Sequence, residues 1–299
     1  MEMTDSIINY RRHLKRRNCS PSTIKSCLNI LKHFVLWLNV PVEEADRHTI
    51  SAYIDYLLDN RLAAKTINNH LSAVRCFYNY LRAEEGLTII NPVSKGRSLR
   101  LAQPLPRHLR DHEVIILFNA INSKRDRAMF MLMLRCGLRV AEVADLTLDA
   151  VDLRHSRLYV YNGKGGKDRV VYLSNDAARA LTEYLQIRRP LVKTKKIFLV
   201  EKGRCRGKPI SVRGIQKRIE HYANESGLDV SCHQLRHTMA TQLLNADADL
   251  VTIQDLLGHT RIKTTQRYCR VSNPKVQRDY QKAMEVIMER TAREPAGCL

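Results

Sequence analysis

The sequence predicts a mainly α-helical protein with a small β-sheet, an α+β fold in two parts. Its 299 residues suit one large domain or two modest ones. Long stretches carry apolar residues at three- and four-residue spacing, which is the period of an amphipathic helix. One stretch, residues 157–173, has two β-rich runs joined by a turn rich in glycine and lysine. A basic stretch with two prolines, residues 93–107, interrupts the helical pattern and suits an extended linker.

The first part, residues 1–92, is predicted to be a small helical bundle. Its opening segment is a candidate helix. The second helix has Ser20 as a cap and Pro21 at its first position. Thr49 is predicted to open the third helix, and the fourth ends at Gly86.

The second part, residues 108–299, is predicted to be mostly helical with one hairpin. The hairpin strands are expected at Leu158–Tyr161 and Val170–Leu173. Four helices are expected after the hairpin, one of them stopped by Gly227, and a last helix begins at Asn273.

The charge of the chain points to a polyanionic partner. Lysine and arginine number 50 against 30 acidic residues, a net charge of +20. Such a surplus attracts nucleic acid, although a ribosomal or chromatin protein would fit it equally well. The polar N-terminus and the lack of long apolar runs favour a soluble intracellular protein. The eight cysteines lack zinc-ligand spacing and are expected to be reduced thiols, so no metal site is predicted.

Two short motifs carry arginines that suit phosphate binding. His233 and Arg236 are three residues apart, so on a helix they share a face. Arginine presents a planar fork to phosphate oxygens, and histidine exchanges protons near neutral pH. Arg139 follows a predicted helix break at Gly137, and Glu142 can orient it. Each motif alone also fits an ordinary surface helix.

Three further side chains stand in suggestive positions. Lys164 lies at the tip of the predicted hairpin, where glycines allow close approach to a ligand, and Lys167 is a neighbouring alternative. His259 follows a glycine, and Tyr268 comes nine residues later. A lone tyrosine is usually a core or surface residue, because its phenol is a poor nucleophile unless cations surround it.

Taken in order, these residues resemble the tyrosine recombinase, or phage integrase, family. The matching stretches are "GLRVAEVADL", "GKGGKDR", "HQLRHTMAT" and "LGHTRIKTTQRY". The resemblance covers both parts of the chain and is strongest to simple Xer-like members. It implies one catalytic set: Arg139, Lys164, His233, Arg236, His259 and Tyr268.

The resemblance implies that Tyr268 attacks a DNA phosphate, giving a 3′-phosphotyrosyl link and a free 5′-hydroxyl. The two arginines and His259 would hold the charge of the transition state. His233 would assist removal of the phenol proton, and Lys164 would protonate the departing oxygen. His237 is expected to be structural. No metal, ATP or other cofactor is expected, because fixed cations supply the positive charge.

The resemblance also predicts the organisation of the protein on DNA. Residues 1–92 would form a core-DNA-binding domain, 93–107 a basic linker and 108–299 the catalytic domain. The partner is double-stranded DNA, bound by a homotetramer on two sites. The resemblance suggests that the last helix docks on a neighbouring protomer, whereas its apolar spacing alone fits equally well a helix that packs on its own domain. A cytoplasmic, nucleoid-associated protein is expected. Candidate DNA-binding residues are Lys65, Arg75, Arg97, Arg100 and Lys167.

Two other functions fit the same residues. A type IB topoisomerase-like nicking-closing enzyme shares the chemistry and needs no tetramer. A non-catalytic DNA-binding regulator would keep the charge and lose the reaction. Within recombinases, the recognition sequence and the choice among resolution, integration and inversion stay open, as does a host or mobile-element origin.

Overall fold

The computed structural model describes residues 3–94, 96–102, 107–161, 168–188, 194–258, 262–269 and 273–291. The chain divides into two compact units, Met1–Gln103 and Pro104–Leu299. Helices dominate both units, and a three-stranded sheet lies in the second. The predicted mainly α fold with a small β-sheet is therefore confirmed.

The described residues of the first unit form a bundle of four α-helices. Ser20 caps the second helix by accepting from the backbone N–H of Thr23, with Pro21 in the first turn, as predicted. The predicted start of the third helix at Thr49 is wrong, because Asp46 is its cap. Asp46 accepts from the Thr49 N–H and the Thr49 hydroxyl accepts from the Asp46 N–H, a reciprocal capping box. The helices are α1 Met3–Arg16, α2 Pro21–Trp37, α3 Arg47–Asp59 and α4 Ala64–Glu84.

The chain that follows α4 is tied to that helix. The Arg75 guanidinium donates to the carbonyls of Val93, Ser94 and Arg97 at 3.1–3.2 Å. Val93 is buried with the aromatic and aliphatic core of the bundle. These contacts fix the start of the stretch that the sequence predicts as a linker.

The predicted DNA-binding residues of this unit differ in their surroundings. Lys65 and Arg100 are exposed. Arg75 is engaged by backbone carbonyls, and Arg97 donates to the Arg47 carbonyl at 3.1 Å and to the Ser51 hydroxyl. If Arg75 contacts a DNA phosphate, it must do so with the guanidinium N–H groups that do not donate to these carbonyls.

The second unit is helical around a small antiparallel sheet. The predicted hairpin forms, but each strand starts and ends one residue earlier than expected, and a short strand not predicted from the sequence pairs with its first strand. The strands are β1 Val151–Asp152, β2 Arg157–Val160 and β3 Arg169–Tyr172. The helices are α5 Asp111–Ala120, α6 Lys124–Arg135, α7 Val140–Asp145, α8 Asn175–Ile187, α9 Val212–Ser226, α10 Cys232–Asn245, α11 Leu250–Leu257, α12 Ile262–Cys269 and α13 Asn273–Thr291.

Buried apolar side chains from α5 to α10 and the sheet form the main core of the second unit. A smaller cluster holds α10, α11 and α12 together through Met239, Leu244, Ile253, Leu257 and Tyr268. The predicted stop at Gly227 is confirmed, since it ends α9 with a φ of 67°. Within the described residues, no helix is both long and apolar enough to cross a membrane.

Candidate active site

Arg139 stands at the start of α7, immediately after a glycine turn. Gly137 has a φ of 63°, which ends α6 and redirects the chain. The Glu142 carboxylate accepts from the Arg139 backbone N–H at 2.7 Å and from its guanidinium at 2.8 Å. The same guanidinium donates to the Gly258 carbonyl at 3.2 Å. The predicted orientation of Arg139 by Glu142 is therefore present in the fold.

A second arginine, which the sequence did not single out, grips the same carboxylate. Arg169, at the start of β3, donates one N–H to each Glu142 oxygen, both at 2.8 Å. Burial alone would raise the pKa of Glu142, but the hydrogen bonds from Arg169 and Arg139 outweigh it and lower that pKa to about 2. Arg169 belongs to the quoted motif "GKGGKDR", yet nothing in the sequence names Glu142 as its partner.

Arg236 is the most deeply buried charged group of the site. It lies on α10 with 1% of its surface exposed and donates to the carbonyls of Gly137 and Leu257. Burial, together with the neighbouring positive charge of Arg139, lowers the pKa of Arg236 to about 9, which leaves it charged at neutral pH. The Glu142 carboxylate acts in the opposite direction and favours the charged guanidinium.

Tyr268 projects from α12 into the small apolar cluster and is 2% exposed. A hydrogen bond of 2.6 Å joins its hydroxyl to Nδ1 of His237. The His237 ring lies edge-on to the ring of His233, with centroids 4.1 Å apart. His237, expected to be structural, thus contacts the predicted nucleophile, and its one-turn spacing from His233 was the available signal.

The remaining predicted residues are only partly described. His233 is exposed at the start of α10, three residues before Arg236, as predicted. Lys164, Lys167 and His259 lie outside the described residues. The structure thus brings together Arg139, Arg236, Tyr268 and the histidine pair around the start of α7 and one face of α10.

A buried phenol, a neighbouring histidine pair and two arginines in one region of the fold suit one class of chemistry. Two guanidiniums can hold a phosphate while the phenol oxygen attacks it. The fold and the site together define an enzyme that breaks and rejoins a phosphodiester backbone.

Comparison with known proteins gives the family. The model of the phage integrase family matches residues 107–275, and the model of the phage integrase N-terminal SAM-like domain matches residues 7–85. The chain belongs to the phage integrase family. It is a tyrosine site-specific recombinase that breaks and rejoins DNA strands, and the topoisomerase and regulator alternatives are not favoured.

Curated relatives span almost the whole chain. Tyrosine recombinase XerC of Thermodesulfovibrio yellowstonii is 34% identical over 276 residues, covering 89% of this chain and 91% of that protein. Tyrosine recombinase XerD of Pseudomonas putida is 35% identical over 271 residues, covering 87% and 90%. The predicted Xer-like character is confirmed.

Solved structures share the fold. The crystal structure of XerA recombinase covers 94% of this chain and 99% of that one, with 25% identity and a TM-score of 0.55. A λ integrase (75–356) dimer bound to a COC′ core site has a TM-score of 0.71 at 19% identity, covering 88% and 97%. These likenesses agree with the two-part architecture.

Proposed function

We propose that Tyr268 is the nucleophile of strand cleavage. Its phenol gives up a proton, its oxygen bonds to the scissile phosphorus, and the bond from phosphorus to the 5′-oxygen breaks. The products are a 3′-phosphotyrosyl link and a 5′-hydroxyl. A 5′-hydroxyl from a partner duplex reverses the step, so cleavage and ligation need no ATP. The observation that carries the proposal is the buried Tyr268 hydroxyl hydrogen-bonded to His237, which neighbours the buried Arg236 on helix α10.

Arg139 and Arg236 would hold the negative charge that builds on the phosphate oxygens. The two carbonyls on Arg236 engage two of its N–H groups, and a guanidinium has five. Because these carbonyls are backbone groups of folded elements, the guanidinium needs little reorganisation during the reaction. Such preorganised donors typically contribute about 10²–10³ in rate each.

Proton transfer is assigned to the remaining residues of the family pattern. His233 would assist deprotonation of Tyr268, and Lys164 would protonate the departing 5′-oxygen. His259 would donate a hydrogen bond to the phosphate. Lys167 stays the alternative to Lys164 as the general acid. The contact of His237 with the phenol supports a second histidine in the proton path.

Two members of the site are closed off from solvent. Tyr268 and Arg236 are 2% and 1% exposed, so a phosphate reaches them only when part of the surrounding structure withdraws. We infer that DNA binding uncovers the phenol, which would keep the nucleophile away from water and from non-cognate phosphates until a site is bound.

The substrate is double-stranded DNA, held by both units. Domains at 1–92 and 108–299 joined by a basic linker would clamp the duplex, and the +20 net charge supports this. The family relationship supports a homotetramer on two sites. Helix α13 exposes Tyr280, Val286, Ile287 and Met288 by 46–64%, which supports its docking on a neighbouring protomer. We propose a cytoplasmic, nucleoid-associated location, which a double-stranded DNA substrate supports.

The test is covalent trapping on a nicked suicide duplex that the protein itself selects from a randomised pool. We expect an adduct that survives SDS and forms in EDTA. Tyr268→Phe should abolish the adduct and keep DNA binding. Tyr280→Phe, which removes an exposed phenol from α13, is the matched control and should retain it.

An adduct that persists in Tyr268→Phe, or that maps to another residue, rules out the proposed nucleophile. Sedimentation of the complex with two selected duplexes tests the tetramer. Removal of residues 273–299 should leave binding to one duplex and lower the tetramer fraction. A tetramer that survives this removal contradicts the role given to α13.

A further inference from the structure

A buried cluster of alternating charge lies behind the proposed phosphate site. It consists of Arg139, Glu142 and Arg169, and only Arg139 was expected to touch substrate. The side chains of Glu142 and Arg169 are each 9% exposed, whereas that of Arg139 is 25% exposed. The two inner members are thus shielded from water, and the outer one faces solvent.

The Glu142 carboxylate is fully occupied. Its Oε1 accepts from the guanidiniums of Arg139 and Arg169, and its Oε2 accepts from the Arg139 backbone N–H and from Arg169. The four donors lie 2.7–2.8 Å away. A carboxylate has about four acceptor positions, so this one has little capacity left to rotate or accept water.

Arg169 is itself fixed on its other side. Its Nε donates to the Leu256 carbonyl at 2.9 Å, in the last turn of α11. Gly258, which caps that helix with a φ of 58°, passes so close that an added Cβ would lie 3.0 Å from Arg169 Cδ. One guanidinium therefore joins β3, α7 and the end of α11, and Arg139 contacts the same end of α11 through the Gly258 carbonyl.

We propose that Arg169 is a positioning residue of the recombinase. It immobilises Glu142, which holds Arg139 in place. It also compensates the negative charge of Glu142, so that the positive charge of Arg139 remains available to stabilise the phosphate. A lone carboxylate would orient Arg139 and also neutralise it. With Arg169 present, the cluster carries a net charge of +1, and Arg236 adds a second positive charge. The inference rests on the role proposed above for Arg139.

The test compares Arg169→Gln and Arg169→Lys with Arg157→Gln. Arg157 is an exposed arginine on the neighbouring strand β2 and is the matched control. Single-turnover cleavage of the selected suicide duplex is measured at saturating protein, so that weaker DNA binding does not enter the rate. We expect Arg169→Gln to slow cleavage about 10²-fold, since a small displacement of a catalytic group has roughly this effect. Arg157→Gln should match the wild type.

The pH profile separates positioning from simple loss of structure. The charged groups described around Glu142 are Arg139, Arg169 and Arg236. In Arg169→Gln, burial still raises the pKa of Glu142 while two hydrogen bonds and one positive charge are gone, so that pKa should rise. The ratio of variant rate to wild-type rate should then fall as the pH falls from about 8 to 5.5. Arg169→Lys should recover part of the rate and weaken the pH dependence of this ratio, because lysine keeps the positive charge but lacks the paired N–H donors of a guanidinium.

Two results would overturn the inference. One is an Arg169→Gln rate equal to that of Arg157→Gln. The other is a slow Arg169→Gln whose ratio does not change with pH and which Arg169→Lys does not improve. If Arg169→Gln fails to fold, the rate and pH profile of Arg169→Lys decide. Arg139→Ala separates the two proposals. If this variant cleaves DNA at the normal rate, the proposed catalytic site is wrong. If it is inactive while Arg169→Gln is fully active, only the inference about Arg169 is wrong.

Discussion

Gly137→Ala tests whether the turn before Arg139 is packed as tightly as the structure describes. The φ of 63° at this position is left-handed, which disfavours alanine by roughly 1–2 kcal/mol. An added Cβ would also lie 3.0 Å from Leu257 Cδ2 and 3.1 Å from Met239 Sδ. Displacing these buried side chains should cost about 1–3 kcal/mol more.

Gly227→Ala isolates the packing contribution. Gly227 has nearly the same φ, 67°, and a Cβ there would meet no atom within 4 Å. Both substitutions restrict the unfolded chain equally, so that effect cancels in the comparison. We expect Gly137→Ala to be less stable than Gly227→Ala by about 1–3 kcal/mol.

The assay must report on the second unit alone. The single tryptophan, Trp37, lies in the first unit, so its fluorescence serves as an internal control that neither substitution should change. Hydrogen exchange of peptides from α10 follows the second unit. Because the Gly137 carbonyl accepts from Arg236, Gly137→Ala should also slow strand cleavage, by about 10²-fold. Equal protection of α10 in the two variants would refute the packing argument.

Three further predictions concern buried charge and capping. Asp126 is fully buried and accepts hydrogen bonds from Arg125, Arg218 and Tyr222. Asp126→Asn should therefore destabilise the second unit by about 3–5 kcal/mol, measured by hydrogen exchange, and a stability equal to that of the wild type would contradict this. Because the pKa of Glu142 is lowered from 4.5 to about 2, its ionisation stabilises the fold above pH 4.5, and this contribution disappears as the pH falls towards 2. The unfolding free energy of Glu142→Gln, measured against pH, should lack this loss. A pH dependence identical to that of the wild type would contradict the argument. Ser20→Ala removes the cap of α2 and should lower the stability of the first unit by about 1 kcal/mol. Trp37 fluorescence during urea unfolding measures this change, and an unchanged stability would contradict the prediction.

Sequence reasoning reached the elements whose signals are local. The Ser20–Pro21 helix start, the Gly137 break and the Gly227 stop each depend on a few adjacent residues, and all three are present. The third helix was misplaced because Asp46 and Thr49 are both good caps, and only the backbone decides between them. The two-residue strand β1 is too short to produce a periodic pattern.

The site was predictable by residue type and less so by partner. The order of the motifs singled out Arg139, Arg236 and Tyr268 as candidates. The pairing of Arg169 with Glu142 spans 27 residues, and the contact of His237 with Tyr268 spans 31. Such contacts arise from tertiary packing, which no local pattern encodes.

The two carbonyls held by Arg236 have a consequence for how this enzyme can be inactivated. They belong to the turn before α7 and to the end of α11, so this side chain joins three segments that are distant in the sequence. On the proposed mechanism, losing the Tyr268 hydroxyl would remove the reaction, and the hydrogen bonds from Arg236 to these two carbonyls would remain. Libraries selected for well-folded proteins that bind DNA without cutting it should therefore be rich in replacements at Tyr268 and poor in replacements at Arg236.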